Sequence, residues 1–376
     1  MEKGYLAMKE LNLDPDTVEY LKREMKNLKS LQTLNHDHII KPVAICTRGE
    51  KEAFCFFPWA EKGDLYSFWG REDPTGNVPW MLDQMAGLSH ALKELADMNC
   101  RHSDLKPQNI LVFPEDGTSR ILKITDVGIS KFQVMATSRR PKGTTARHTT
   151  QRYSPPEFHQ LSEDRLREHV EGSSNQTLSR KFDIWSLGCV FFEFLIWAKD
   201  QNKYRKFDKS MGESTKFWQK DSTSPESSDS ESSLATPDSS GYLLHKKVDG
   251  RLKALKKSLL QTRDDIVIQR VLALVEERML VIEPSKRYSA SEVYDHLKVI
   301  QDDSKFDSPA NDSIKPLGLT GEPFLDVPLR EQQLSGADNT ATLGANIDDV
   351  VEPLGSPEGL TTTAVPRDNA AAQIVS

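Results

Sequence analysis

The stretch Arg101–Val112, RHSDLKPQNILV, together with ITDVG at Ile124–Gly128, constrains this chain more than any other feature. Within a few residues it sets a carboxylate (Asp104), a cation (Lys106) and an amide (Asn109), and a second carboxylate (Asp126) follows. A carboxylate can orient a hydroxyl, and a lysine can neutralise an anion beside it. Amide and carboxylate oxygens are the hard ligands that magnesium prefers. One such triplet arises by chance in a long chain, so its meaning depends on the rest of the sequence.

Four further segments agree with it in order. Lys9 stands in LAMKE, SPPE occupies Ser154–Glu157, and FDIWSLGCVFFE begins at Phe182. The run Ala53–Phe57 has the character of a buried strand and is followed by PWAEKGDL. Taken together, these residues resemble the eukaryotic protein kinase family of the serine/threonine type, over roughly residues 1–300.

The resemblance implies an α+β fold of two lobes, a small β-rich lobe and a large helical one. It implies transfer of the γ-phosphate of ATP, with Mg2+, to protein hydroxyls. Asp104 would be the base or hydroxyl-orienting carboxylate, Lys106 would neutralise the moving phosphoryl group, and Asn109 and Asp126 would hold the metal. Lys9 would pair with the α- and β-phosphates, with Ala7 beside the nucleotide and Glu24 reaching back to the lysine. A solvated helix glutamate is the other reading of Glu24. Phe57 would back the adenine pocket, and backbone groups around Pro58–Ala60 would meet the adenine edge. Asp64 would reach the ribose, and Leu111 would pack under the ring. Glu157 and Arg287 would form a buried ion pair, Asp183 would anchor the backbone around His102, and Thr150 would contact the catalytic loop in the docking segment.

Three positions depart from the family's pattern. Lys9 comes so early that no Gly-rich loop precedes it, and truncation is the expected cause. A pseudokinase or scaffold that keeps the fold without the transfer is therefore the alternative function. Ser103 stands where most kinases carry an arginine, and a serine cannot make the charge-assisted fork that grips a phosphorylated loop. Val127 replaces the usual phenylalanine, and the surrounding core is expected to have adapted.

Periodicity sets the organisation. Val18, Leu21, Met25, Leu28 and Leu31 share one face and predict a helix over Val18–Leu34, and the spacing of Leu82, Met85, Leu88, Leu92 and Leu95 predicts another over Trp80–Met98. The expected division is a small lobe over 1–57, a hinge at 58–62 and a large lobe over 63–300. Residues 199–241, ending in SPESSDSESSLATPDSSG, are too poor in apolar residues to offset their ordering entropy and are expected to form a disordered insert. Helical patterns resume over Leu243–Leu260, Ile266–Met279 and Ser289–Ile300, and residues 301–376 read as a flexible tail.

Between Thr137 and Tyr153 the chain is basic and rich in hydroxyls, which suggests a preference for acidic residues near the phosphorylated hydroxyl. The four cysteines lie far apart without metal-ligand spacing, so buried thiols in a reducing compartment are expected, in cytoplasm or nucleus. The net charge of −7 argues against nucleic acid as the main partner. The longest apolar runs are too short for a bilayer, so no membrane is expected. Protein substrates are the implied partners, and the oligomeric state is left open.

Overall fold

The computed structural model describes residues 5–12, 34–48, 52–72, 74, 78–114, 120–127, 151–159, 180–212, 214–221 and 241–306. The helix expected over Val18–Leu34, with Glu24, lies outside the described residues except for Leu34, which is not helical; Gly128, Thr150, residues 222–240 and the tail from 307 onward lie outside them too.

Three strands, β1 (Leu6–Asn12), β2 (Ala44–Arg48) and β3 (Glu52–Pro58), pair antiparallel in the order β1-β3-β2. Their residues alternate as a half-covered sheet requires. Ala53, Cys55 and Phe57 are buried on one face of β3, while Leu6 and Met8 of β1 are exposed on the other face.

The helical part contains α1 (Leu65–Arg71), α2 (Val78–Asp97), α3 (Lys181–Lys199), α4 (Gln201–Met211), α5 (Lys246–Ser258), α6 (Arg263–Leu274) and α7 (Ala290–Phe306). Two small antiparallel pairs complete it, β4 (Ile110–Pro114) with β5 (Arg120–Ile124) and β6 (Trp218–Lys220) with β7 (Tyr242–Leu244). In α3 every residue from Phe182 to Trp197 is buried, so this helix is the axis of the core rather than an amphipathic wall. The fold is α+β, a small strand-rich part followed by a larger helical one. Among the described residues no helix is long and apolar enough to cross a membrane.

The structure corrects three boundaries. The expected insert at 199–241 begins later, because Lys199 closes α3 and residues 201–211 and 218–220 are helix and strand. Tyr204, Phe207, Met211, Phe217 and Trp218 are all buried there, which supplies the apolar burial that the Ser-rich stretch lacks. Leu243, expected to open a helix, pairs instead with Gln219 in β7, and the helix starts at Lys246. Finally, α7 runs on to Phe306, past the expected boundary at 300.

A loop of the strand-rich part packs against the helical one. The carbonyl of His38 accepts from Ile124 N at 2.8 Å, and Ile40 N donates to Ile124 O at 2.9 Å, so residues 38–40 run beside the end of β5. Gly87 permits the approach on the α2 side, since a Cβ there would meet the His38 ring at 1.9 Å. His36 Nε2 and His90 Nδ1 lie 2.7 Å apart, and burial next to His90 and His38 lowers the His36 pKa to about 4.

Candidate functional site

α2 delivers the chain to the turn 100–109, whose backbone is fixed from beneath. Asp183, on the first turn of α3, accepts from His102 N at 2.9 Å and from Ser103 N at 2.8 Å. The His102 ring meets the Thr125 carbonyl at 2.7 Å, and Thr125 N donates to Asn109 O at 3.0 Å. The turn that precedes Asp126 and the turn that carries Asp104 are therefore stitched to each other. Ser103 at φ +65° and Asp126 at φ +61° occupy the left-handed region, a cost that these bonds must offset.

Asp104, Lys106 and Asn109 form one constellation. Lys106 Nζ donates to Asp104 Oδ2 at 3.0 Å, and Asn109 Nδ2 donates to the same oxygen at 3.2 Å and to the Asp104 carbonyl at 2.7 Å. Oδ2 is thus occupied, and Asp104 Oδ1 makes no bond among the described residues. Because Asn109 spends its amide N–H groups on Asp104, its amide oxygen is left to act as an acceptor.

Lys9 crosses from the sheet to Asp126, with Nζ 2.7 Å from Oδ1. Its register explains the reach. Lys9 lies opposite Cys55 and Ala7 opposite Phe57, so these four side chains share the inner face of the sheet. The side chains of Lys9, Asp126, Lys106 and Asp104 keep 16%, 18%, 15% and 12% exposure, enough to meet a solvent-borne partner.

Residues 60–64, which overlap the segment expected to be a hinge, lie beside β4. Asp64 bridges Leu111, Val112 N donates to Gly63 O at 2.8 Å, and Gly63 N to Ala60 O at 3.0 Å. Leu111 is half-buried next to this connection, Ala60 packs against the core, and Phe57 is buried. The Asp64 carboxylate, expected to reach a ribose, caps α1 by accepting from Ser67 N and Ser67 Oγ, each at 2.9 Å. Only its remaining lone pairs are available to a ligand.

Two structural expectations have geometry. Arg287 forks onto Glu157 at 2.7 and 2.9 Å, and its other donors reach the Val281, Ile282 and Lys181 carbonyls. Val127, smaller than the phenylalanine expected there, is buried in the main core.

A second buried network was missed by sequence reasoning. Arg152, at the end of the basic segment, binds Glu193 of α3 and Asp208 of α4, the latter at 2.7 Å. Tyr153 donates to Glu193 Oε2 and Tyr66 to Asp208 Oδ2, both at 2.9 Å. Burial works against the Arg152 charge, but Glu193 and Asp208 outweigh it and hold the guanidinium protonated. Burial beside Asp208 pushes the Tyr66 phenol up to about 12. The signal was present in the sequence, because a glutamate inside VFFEFL needs a cation within the core. Arg152 is neutralised internally and therefore adds nothing to an acid-binding surface.

A magnesium ion fits this donor set. Among the described residues no group of three or more His, Cys, Asp or Glu side chains gathers as a metal centre. Magnesium is ordinarily held by one or two carboxylates shared with substrate phosphates, and Asp126 with the Asn109 amide oxygen is that kind of incomplete set.

The protein kinase domain family matches residues 2–297, and the chain belongs to it. The chain is similar to the meiosis-specific serine/threonine-protein kinase mek1 of Schizosaccharomyces pombe, 30% identical over 44% of this chain and 35% of that one. It is also similar to cyclin-dependent kinase C-2 C of Arabidopsis thaliana, 28% identical over 49% of this chain and 25% of the relative. With the probable serine/threonine-protein kinase fhkA of Dictyostelium discoideum it shares 23% identity over 77% of its own length and 44% of the relative's. The matched stretches thus cover less than half of each of these relatives. The family uses ATP and a divalent metal.

Proposed function

We propose that this chain is a serine/threonine protein kinase that transfers the γ-phosphate of ATP to hydroxyls of protein substrates. The observation that carries the reading is the joined set of Asp104, Lys106 and Asn109 beside the Lys9–Asp126 pair. A scaffold needs the fold but has no physical use for all of these groups in hydrogen-bond contact. Relatives described as serine/threonine kinases support the same reading, as does Lys106, which resembles that type.

Asp104 orients the substrate hydroxyl through Oδ1 and takes up its proton as the new P–O bond forms, while the bond from the γ-phosphorus to the β,γ-bridging oxygen breaks and ADP leaves with that electron pair. Lys106 holds the carboxylate in place and offsets negative charge on the transferred group. Asn109 and Asp126 would hold magnesium, which when bound neutralises phosphate charge. Lys9 exchanges Asp126 for the α- and β-phosphates of ATP. Phe57, Ala7, Ala60 and Leu111 enclose the adenine, with Asp64 at the ribose. Glu24 and Thr150 keep their assigned roles as helix partner of Lys9 and contact of the docking segment. Residues 1–57, 58–62 and 63–300 serve as small lobe, hinge and large lobe. Proteins of the cytoplasm or nucleus are the proposed substrates.

The test is transfer of labelled γ-phosphate with magnesium to mixed acidic and basic proteins, followed by phosphoamino-acid analysis. Label on serine and threonine is expected. Label confined to tyrosine, or ATP binding without transfer, would overturn the reading.

A further inference from the structure

The end of α4 and the start of α5 present a cationic face that no acidic side chain pairs with among the described residues. Lys206 and Lys209 are exposed on the last turns of α4, and Lys246 and Lys247 on the first turn of α5. A bond from Lys247 Nζ to the Ser210 carbonyl ties the two ends together. Cations suit the C-terminus of α4, but Lys246 and Lys247 face the positive end of the α5 dipole, where cations are disfavoured. Asp249, the acid in that first turn, is spent on Lys253 at 2.8 Å. The chain as a whole is acidic, so this gathering of like charge breaks a local rule without a gain among the described residues.

The sequence between these helices has the opposite character. Ser222–Ser240 carries Glu226, Asp229, Glu231 and Asp238 among many serines, and no Lys, Arg or His. Its two ends are held together, since Asp221 N donates to Gly241 O at 2.9 Å at the tip of the β6–β7 pair. From Gly241 to Lys246 the chain spans at most about 17 Å when extended. Half of the acidic segment, about nine residues, reaches about 30 Å. The segment is therefore within range of the four lysines.

We propose that the face formed by Lys206, Lys209, Lys246 and Lys247 is the docking surface for the chain's own acidic serine-rich segment 222–240. Each phosphoserine adds about −1.5 to −2 charges and strengthens the contact. A single-stranded nucleic acid fits less well, because it needs exposed rings on which bases stack. The aromatic side chains here, Tyr204, Phe207 and Trp218, are buried.

The test replaces residues 222–240 of the full chain with a Gly/Ser linker of equal length. This variant is titrated with synthetic 222–240 peptide, plain and phosphorylated on Ser227 and Ser230. Binding is expected to tighten at least about threefold with phosphorylation and to weaken at least about tenfold between 50 and 300 mM salt. It should fall at least about tenfold in Lys206→Glu/Lys209→Glu/Lys246→Glu, and by less in the Gln counterparts, with thermal midpoints unchanged. The unmodified chain, whose own segment competes, should bind the peptide at least about tenfold more weakly than the linker variant. Absence of peptide binding, equal binding by the charge-reversed or unmodified chain, or tighter binding of single-stranded DNA or anionic vesicles would overturn the proposal.

Discussion

The strand-rich part and the helical part hold their functional groups in different ways. In the helical part, Asp183 projects from a helix buried from Phe182 to Trp197 to fix the backbone of His102 and Ser103, so the Asp104 turn rests on densely packed core. In the strand-rich part, Lys9 projects from a sheet whose outer side chains Leu6 and Met8 remain 52% and 55% exposed, and it meets the helical part through one ion pair. The comparison teaches that Asp104 and Asn109 stand on a rigid platform, while Lys9 is carried on a thinner piece.

The largest effect is expected in the platform. Arg287→Ala strands Glu157 at the edge of the core and should cost about 3–5 kcal/mol in denaturant unfolding. A loss below about 1 kcal/mol would break the comparison. Next, Lys9→Met should lower phosphoryl transfer on the order of 10²-fold, as removal of one charge-stabilising donor does. Stability should fall by less than in Arg287→Ala, because Lys9 makes one bond, to Asp126, whereas the fully buried Arg287 makes five.

A smaller effect concerns the loop of the strand-rich part that packs against the helical one. The folded His36 pKa lies near 4, below the ordinary 6.5, so the unfolded chain takes up this proton first as pH falls. Stability from neutral His36 is complete above about pH 6.5 and declines from there towards pH 4. His36→Asn should flatten that acid limb in unfolding midpoints compared at pH 7 and pH 5, and an unchanged limb would show that the loop is not held by this pair. Smallest of all, Met8→Ser on the open face of β1 should shift stability by no more than about 0.5 kcal/mol.

The sequence made legible the residues that chemistry and tight turns restrict. Asp104, Lys106, Asn109 and Asp126 stand out because their motifs resemble a known family's at that spacing, and the α2 period places its helix to within two residues at each end. Residues 201–220 were misread because the Ser-rich stretch beside them dominated the composition, although Tyr204, Phe207, Phe217 and Trp218 are core residues. Asp64 was assigned to a ligand, and its capping of α1 through Ser67 was overlooked. The network of Arg152 with Glu193 and Asp208 is nonlocal, and no periodicity connects its members.

The most direct measurement is steady-state phosphoryl transfer by the 376-residue chain and its Asp104→Asn variant, with ATP affinity and thermal midpoint measured on the same preparations. The account expects transfer to fall about 10²- to 10⁴-fold in the variant, with ATP affinity and midpoint unchanged. Transfer undiminished in the variant would contradict it.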